Sequence, residues 1–160
     1  MRYWLYKCNV GGGPAGYWGD WRKHVFASRK KEIEWGGDYS TQSHEVHRYL
    51  SDCIAKDDVI VAYQTDEGMV VGFCVVTRMQ GAPGSRKIWL APLHELSPGF
   101  PIHDHKRGTP LERSNAVRGP VMMRELERAE MESLVKLAGA PSSVMKGQAA
   151  TPRKASRAKL

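Results

Sequence analysis

The chain has 160 residues, 41% of them hydrophobic, and a formal net charge of +7. This length suits one domain with a substantial core and is short for two. Cys8, Cys53 and Cys74 form no Cys-x-x-Cys pair and no apolar run reaches membrane-spanning length, which argues against a disulfide framework, a zinc knuckle or a membrane protein. We expect a cytoplasmic protein.

The first part of the chain predicts short elements separated by polar or glycine-rich loops. Alternating side chains predict a strand at Tyr3–Cys8 and an edge strand at 32–35. A short helix at 20–26 and a longer amphipathic helix at 43–55 each begin with a capping residue. Residues 11–16 match the spacing of a dinucleotide-binding loop, but no helix opens inside them, so we interpret them as a loop.

The centre of the chain predicts a β-hairpin. Residues 59–63 and 69–77 are apolar at nearly every position, and the turn between them ends at Gly68, which can adopt the positive φ of a tight turn. Strands that are apolar throughout are covered on both faces. We expect this hairpin to form the core.

The second half predicts further elements in a less regular pattern. A strand at 87–90 is followed by a loop at 97–110 that is rich in proline and glycine. A broken strand at 117–123 precedes the clearest helix, at 124–138, which Gly139 terminates.

The last segment, 140–160, is predicted to be a disordered basic tail. It carries five basic residues and no acidic ones, leaving 19 basic and 17 acidic residues in the rest of the chain. Attraction to phosphate would therefore come from one face of the domain or from this tail. The candidate tail contacts are Lys146, Arg153, Lys154, Arg157 and Lys159.

Aromatic residues are concentrated before the hairpin, beside hydrogen-bonding side chains. Rings that stack and side chains that read an edge are what a planar heterocycle requires. Trp4 and Trp21 fit the core better, whereas Trp35 precedes two glycines in a polar loop and is the better ligand contact.

Histidines offer an alternative, a hydrolase or metal enzyme. His44 and His47 are three residues apart on a predicted helix, and His103 and His105 lie in a loop. The helical spacing differs from the i, i+4 pair of the zinc protease motif, and no catalytic motif accompanies these residues. We therefore expect no metal, no cofactor and no enzyme activity.

Several motifs, in order, resemble the EVE domain over about residues 1 to 139. They are the first strand Tyr3-Trp4-Leu5-Tyr6-Lys7, the loop Trp35-Gly36-Gly37, the strand at 58–63, its continuation at 70–76, and the terminal Leu111-Glu112-Arg113-Ser114 with the helix that contains Glu127 and Glu130.

The resemblance implies an α+β, PUA-like fold, related to the YTH and ASCH domains: a small, strongly bent β-barrel with helices packed on its outside. It also implies binding of DNA or RNA that carries a modified base, with the base held in an aromatic pocket. We expect a non-enzymatic monomer and a base that is flipped out of its strand. Here Trp35 and Tyr39 would stack on the base, and the polar edge or an adjacent phosphate would be bound by Lys7, Asn9, Ser40 and Thr41.

Two departures from the family pattern leave the ligand open. Cys8-Asn9-Val10 replaces the usual Ser-Glu-Pro, and the loop after Trp35 lacks the family's Arg and Asn. The base edge would therefore be read by different side chains. A small molecule or free nucleoside in the same pocket is the alternative ligand.

Overall fold

The structure is a computed structural model that describes residues 1–8, 20–35, 52–82, 86–119 and 123–150. These residues contain six strands: β1 (Tyr3–Cys8), β2 (Ile33–Trp35), β3 (Val59–Gln64), β4 (Met69–Gln80), β5 (Lys87–Phe100) and β6 (Met123–Leu126). Their α-helices are α1 (Ile102–His105), α2 (Asn115–Arg118) and α3 (Arg128–Leu137). A π-helix spans Arg22–Phe26, and 3₁₀ helices span Pro110–Arg113 and Ser142–Lys146.

The strands form one mixed sheet in the order β2-β5-β4-β3-β1-β6. The predicted hairpin is its centre: β3 and β4 pair antiparallel, and Gly68 has a φ of 68° in the turn between them. All six residues of β3 are buried, as expected for a strand covered on both faces. The α+β prediction is confirmed, although β2 and β6 do not pair within the described residues, so the predicted barrel is loose rather than closed.

Two apolar clusters cover the sheet, one on each face. The cluster on the face that we call the helix face includes Leu5, Val61, Phe73 and side chains of α3 such as Leu134. The other, the tryptophan face, includes Trp4, Tyr6, Trp21, Trp35 and Ile60. Alternate residues of β1 and β3 therefore contribute to opposite clusters.

The parallel pairing of β1 with β3 is held at its start by a buried carboxylate. Asp58, which is 2% exposed, accepts hydrogen bonds from the backbone N–H of Arg2 at 2.9 Å, from Trp4 Nε1 at 3.0 Å and from the backbone N–H of Ala55 at 2.9 Å. The two strands then run in register from Tyr3 opposite Val59 to Cys8 opposite Gln64. Both strands consequently end at the same edge of the sheet.

The strand predicted at 87–90 is too short, because β5 continues to Phe100 through the predicted loop. Its pairing with β4 shifts register at three places, and such bulges bend a strand. Beyond Leu90 the outer side of β5 has no partner strand among the described residues. Prolines there remove no ladder hydrogen bond on that side, so they do not end the strand.

The predicted strand at 117–123 and helix at 124–138 are also corrected. Residues 115–118 form α2, β6 occupies 123–126, and α3 begins only at Arg128. Glu127 and Glu130 form a reciprocal capping box that sets this start. Gly139, with a φ of 68°, follows the helix as predicted.

The prediction that the chain is disordered from residue 140 onward is wrong for the first part of this segment. Residues 142–146 form a 3₁₀ helix whose Val144 is fully buried in the helix-face cluster. Tyr3 Oη also donates to the Met145 carbonyl at 2.7 Å. The burial of Val144 and the hydrogen bond from Tyr3 anchor a segment whose composition alone predicts disorder. Residues 151–160 lie outside the described residues.

Most of the predicted helix at 43–55 also lies outside the described residues. The predicted helix at 20–26 is confirmed as the π-helix Arg22–Phe26, with the Asp20 carboxylate accepting from the Arg22 backbone N–H at 3.0 Å. In the part of the chain that the structure describes, no helix is long and apolar enough to span a membrane.

Replacing Asp58 with alanine is expected to lower the free energy of unfolding by roughly 2–4 kcal/mol, because three N–H groups lose their acceptor and the indole among them is buried. Asp57→Asn is the matched control: Asp57 is exposed, and asparagine tolerates its φ of 75°. Urea denaturation measures both. Equal stability of the two variants would contradict this role for Asp58.

Candidate nucleic-acid interface

Three aromatic rings meet on the tryptophan face near the end of β1. Tyr6 and Trp35 lie edge to face with centroids 5.0 Å apart, and Trp21 lies 5.6 Å from Tyr6 and 5.9 Å from Trp35. β1 supplies Tyr6, β2 ends at Trp35, and Trp21 immediately precedes the π-helix. All three are at most 1% exposed. We call them the aromatic cluster.

Among the described residues, two buried N–H donors in or beside this cluster have no hydrogen-bond partner. Gln64, the last residue of β3, is fully buried and accepts from the backbone N–H of Trp21 at 2.8 Å through Oε1. Its amide nitrogen Nε2 is unpaired, and so is Nε1 of the Trp21 indole. A buried donor without an acceptor costs about 1–3 kcal/mol. Leaving these two donors unpaired therefore destabilises the fold, so stability does not explain their presence here.

Trp4 is the contrasting case on the same face. Its Nε1 donates to Asp58, so this indole is satisfied by the fold itself. The core role predicted for Trp4 is confirmed. Trp21 is also buried as predicted, but its ring nitrogen is left unpaired.

Two of the thiols on this face are poor nucleophiles because they are buried. Cys8 and Cys74 are both buried in the tryptophan-face cluster, and burial raises the pKa of each thiol. A raised pKa keeps a thiol protonated and weakly nucleophilic.

Lys7 lies on the opposite face from the aromatic cluster. It pairs with Tyr63 of the helix face, and its Nζ donates to the carbonyl of Gly119, which follows α2. The sequence prediction grouped Lys7 with Trp35, but alternation along β1 separates them.

The remaining predicted contacts are only partly described. Trp35 is buried within the aromatic cluster, and Lys146 is exposed in the last 3₁₀ helix. Residues outside the described ranges are Asn9, Tyr39, Ser40, Thr41, Arg153, Lys154, Arg157 and Lys159.

Sequence reasoning missed Tyr6 and Gln64 as site residues and assigned Trp21 only to the core. The sequence did contain one indication of the site, because Gln64 is a polar residue at the end of an otherwise apolar strand. Its burial depends on a hydrogen bond to Trp21, which is 43 residues away.

The described histidines do not form a metal centre. His103 meets the Tyr63 ring edge to face at 5.8 Å, whereas His105 stacks on Phe100 at 5.2 Å. Within the described ranges no group of three His, Cys, Asp or Glu side chains could hold a metal ion. His44 and His47 lie outside those ranges.

A groove of about 630 Å³ lies at the other end of β1, and its lining includes Tyr3, Arg128 and Lys146. The unpaired donors of Trp21 and Gln64 do not line it, so the aromatic cluster is the stronger candidate site.

No protein-family model and no curated protein matches the chain. Solved structures do. Protein Atu2648 from Agrobacterium tumefaciens is similar with a TM-score of 0.66 at 16% identity, covering 94% of this chain and 100% of that one. Human THYN1, solved in complex with DNA containing 5-methylcytosine, gives a TM-score of 0.64 at 11% identity over 88% of this chain and 99% of that one.

The DUF55 domain of human thymocyte nuclear protein 1 gives a TM-score of 0.60 at 13% identity, covering 85% of this chain and 98% of that domain. Identities this low establish shared fold and not shared ligand. The chain has the fold of the EVE domain, as its motifs predicted.

Proposed function

We propose that this protein binds nucleic acid and holds a modified nucleobase at the aromatic cluster, without catalysing a reaction. The rings of Tyr6, Trp21 and Trp35 supply stacking surfaces, and the N–H groups of Trp21 and Gln64 donate to acceptors on the base. THYN1, which shares the fold, was solved with DNA containing 5-methylcytosine, and this supports the same class of ligand here.

The observation that carries the proposal is the pair of unpaired donors. Buried polar groups are nearly always hydrogen-bonded, and the exceptions call for an explanation. Two donors beside aromatic rings suit a base that presents a carbonyl oxygen and a ring nitrogen, as the pairing edge of cytosine does. A bound base would supply hydrogen-bond acceptors to both Trp21 Nε1 and Gln64 Nε2.

A base can reach these donors only if one ring moves, because the three rings touch and are buried. Trp21 is the ring we expect to move, because its indole nitrogen is not held by a hydrogen bond. Its backbone N–H stays anchored to Gln64. Stacking returns about 1–3 kcal/mol per ring, which offsets the few kcal/mol needed to unstack a base.

The other predicted base contacts keep their place in the proposal. Tyr39 would stack from the segment that follows Trp35, and Asn9, Ser40 and Thr41 would complete the polar edge. Lys7 is reassigned, since it faces away from the cluster. The protonated thiols of Cys8 and Cys74 are consistent with binding without covalent chemistry.

The direct test is affinity for matched oligonucleotides that carry cytosine or 5-methylcytosine, in DNA and RNA and over a salt series. We expect tighter binding of the modified strand and an affinity that falls steeply with salt, because phosphate contacts release counterions. Fluorescence anisotropy of labelled strands measures both. Equal affinity across a panel of modified cytosines and adenines would contradict the proposal, and salt-independent binding of the free nucleoside alone would favour the small-molecule alternative.

Trp21→Phe and Trp4→Phe make the same change at two buried indoles. Trp21→Phe removes an unpaired donor, so we expect a smaller loss of stability than in Trp4→Phe but about a tenfold loss of preference for the modified strand, equivalent to one hydrogen bond. Trp4→Phe breaks the bond to Asp58, so it should lower the free energy of unfolding by about 1–3 kcal/mol and leave the preference unchanged. Thermal melting and anisotropy separate the two effects, and the reverse pattern would overturn the site assignment.

A further inference from the structure

On the helix face, directly behind the aromatic cluster, cationic side chains converge at the end of β1. Lys7 Nζ donates a hydrogen bond to the Gly119 carbonyl. Arg124 lies beside the same glycine, since a β-carbon at position 119 would be 3.7 Å from Arg124 Nε. On the other side of Lys7, Tyr63 contacts the His103 ring, and Lys106 Nζ lies 2.9 Å from His103 Nδ1. We call Lys7, His103, Lys106 and Arg124 the basic cluster.

In the part of the chain that the structure describes, no carboxylate forms an ion pair with Lys7, Lys106 or Arg124. The ion pairs there join Arg2 to Glu125, Arg22 to Glu67, Arg78 to Glu32 and Arg128 to Glu132. Arg124 Nε is buried and has no hydrogen-bond partner. The one described carboxylate that acts on His103 is Asp104, its neighbour in α1.

Burial and the repulsion between neighbouring positive charges lower the pKa values of two residues of the basic cluster. Burial and the Arg124 guanidinium lower the pKa of Lys7. Burial, Lys106 and Lys7 lower the pKa of His103, which Asp104 only partly opposes. The Lys106 ammonium group donates to His103 Nδ1, so the proton of a neutral His103 ring is on Nε2. This Nε2–H group can donate a further hydrogen bond.

We propose that the basic cluster binds a phosphate group, with Lys7, Lys106, Arg124 and the His103 ring as its donors. An anion here would relieve the repulsion and pair the free Arg124 Nε. If the proposed function holds, the phosphate belongs to the backbone of the bound strand, because Lys7 and Tyr6 are consecutive residues on opposite faces at one strand end. A strand passing around that end would place its base on one face and its phosphate on the other.

The first test uses inorganic phosphate alone, so it does not depend on the proposed function. A bound anion favours protonated imidazole, so phosphate should raise the pKa of His103, followed by NMR of the ring, and leave exposed His24 unchanged. Lys7→Met should remove the effect. An unchanged His103 pKa at saturating phosphate would overturn the site, and equal shifts at both histidines would mean a nonspecific salt effect and overturn it as well.

The second test identifies the source of the phosphate. Lys106→Gln should reduce the salt slope for an unmodified oligonucleotide by about one, whereas Lys136→Gln, the same charge change on α3, should not. Preference for the modified base should persist in Lys106→Gln, because that preference arises on the tryptophan face. Equal slopes in the two variants, with His103 still responsive to phosphate, would overturn the backbone assignment and leave a site for free phosphate.

Discussion

The buried carboxylate of Asp58 is the interaction on which the arrangement of this protein depends. It joins the start of β1 to the start of β3 through three N–H donors, one of them the indole of Trp4. Parallel pairing then carries both strands in register to Cys8 and Gln64, at the same end of the sheet. Tyr6, Lys7 and Gln64, three of the proposed ligand contacts, lie at this end, so a one-residue slip in the pairing at Asp58 would move side chains to the opposite face of the sheet.

The same strand end presents different chemistry on its two faces. Aromatic rings and two unpaired donors lie on the tryptophan face, and uncompensated cations lie on the helix face. Neither arrangement is explained by stability, since buried unpaired donors and crowded like charges both reduce it. A nucleotide, which has an aromatic base and an anionic phosphate, would satisfy both faces together.

The fold was more predictable from sequence than the site. β3 and β4 were recognised because residues buried on both faces are apolar throughout, which is a local property. β5 was shortened because its prolines suggested a break, although its outer side lacks a partner strand beyond Leu90 in the described residues. Trp35 was predicted to be a loop contact from its polar neighbours, but it ends β2 and is buried like Trp21, and Lys7 was assigned to the wrong face. Gln64 was missed because its burial requires contact with Trp21, which only the fold brings near.

If a modified base satisfies the unpaired donors of Trp21 and Gln64, their N–H groups should respond when it binds. A ¹H–¹⁵N NMR titration of side-chain N–H groups with a strand containing 5-methylcytosine measures this response. We expect large shifts of the Trp21 indole and the Gln64 amide and little change at the Trp4 indole, which already donates to Asp58. Saturation with the modified strand while the Trp21 and Gln64 resonances stay unmoved would contradict this proposal.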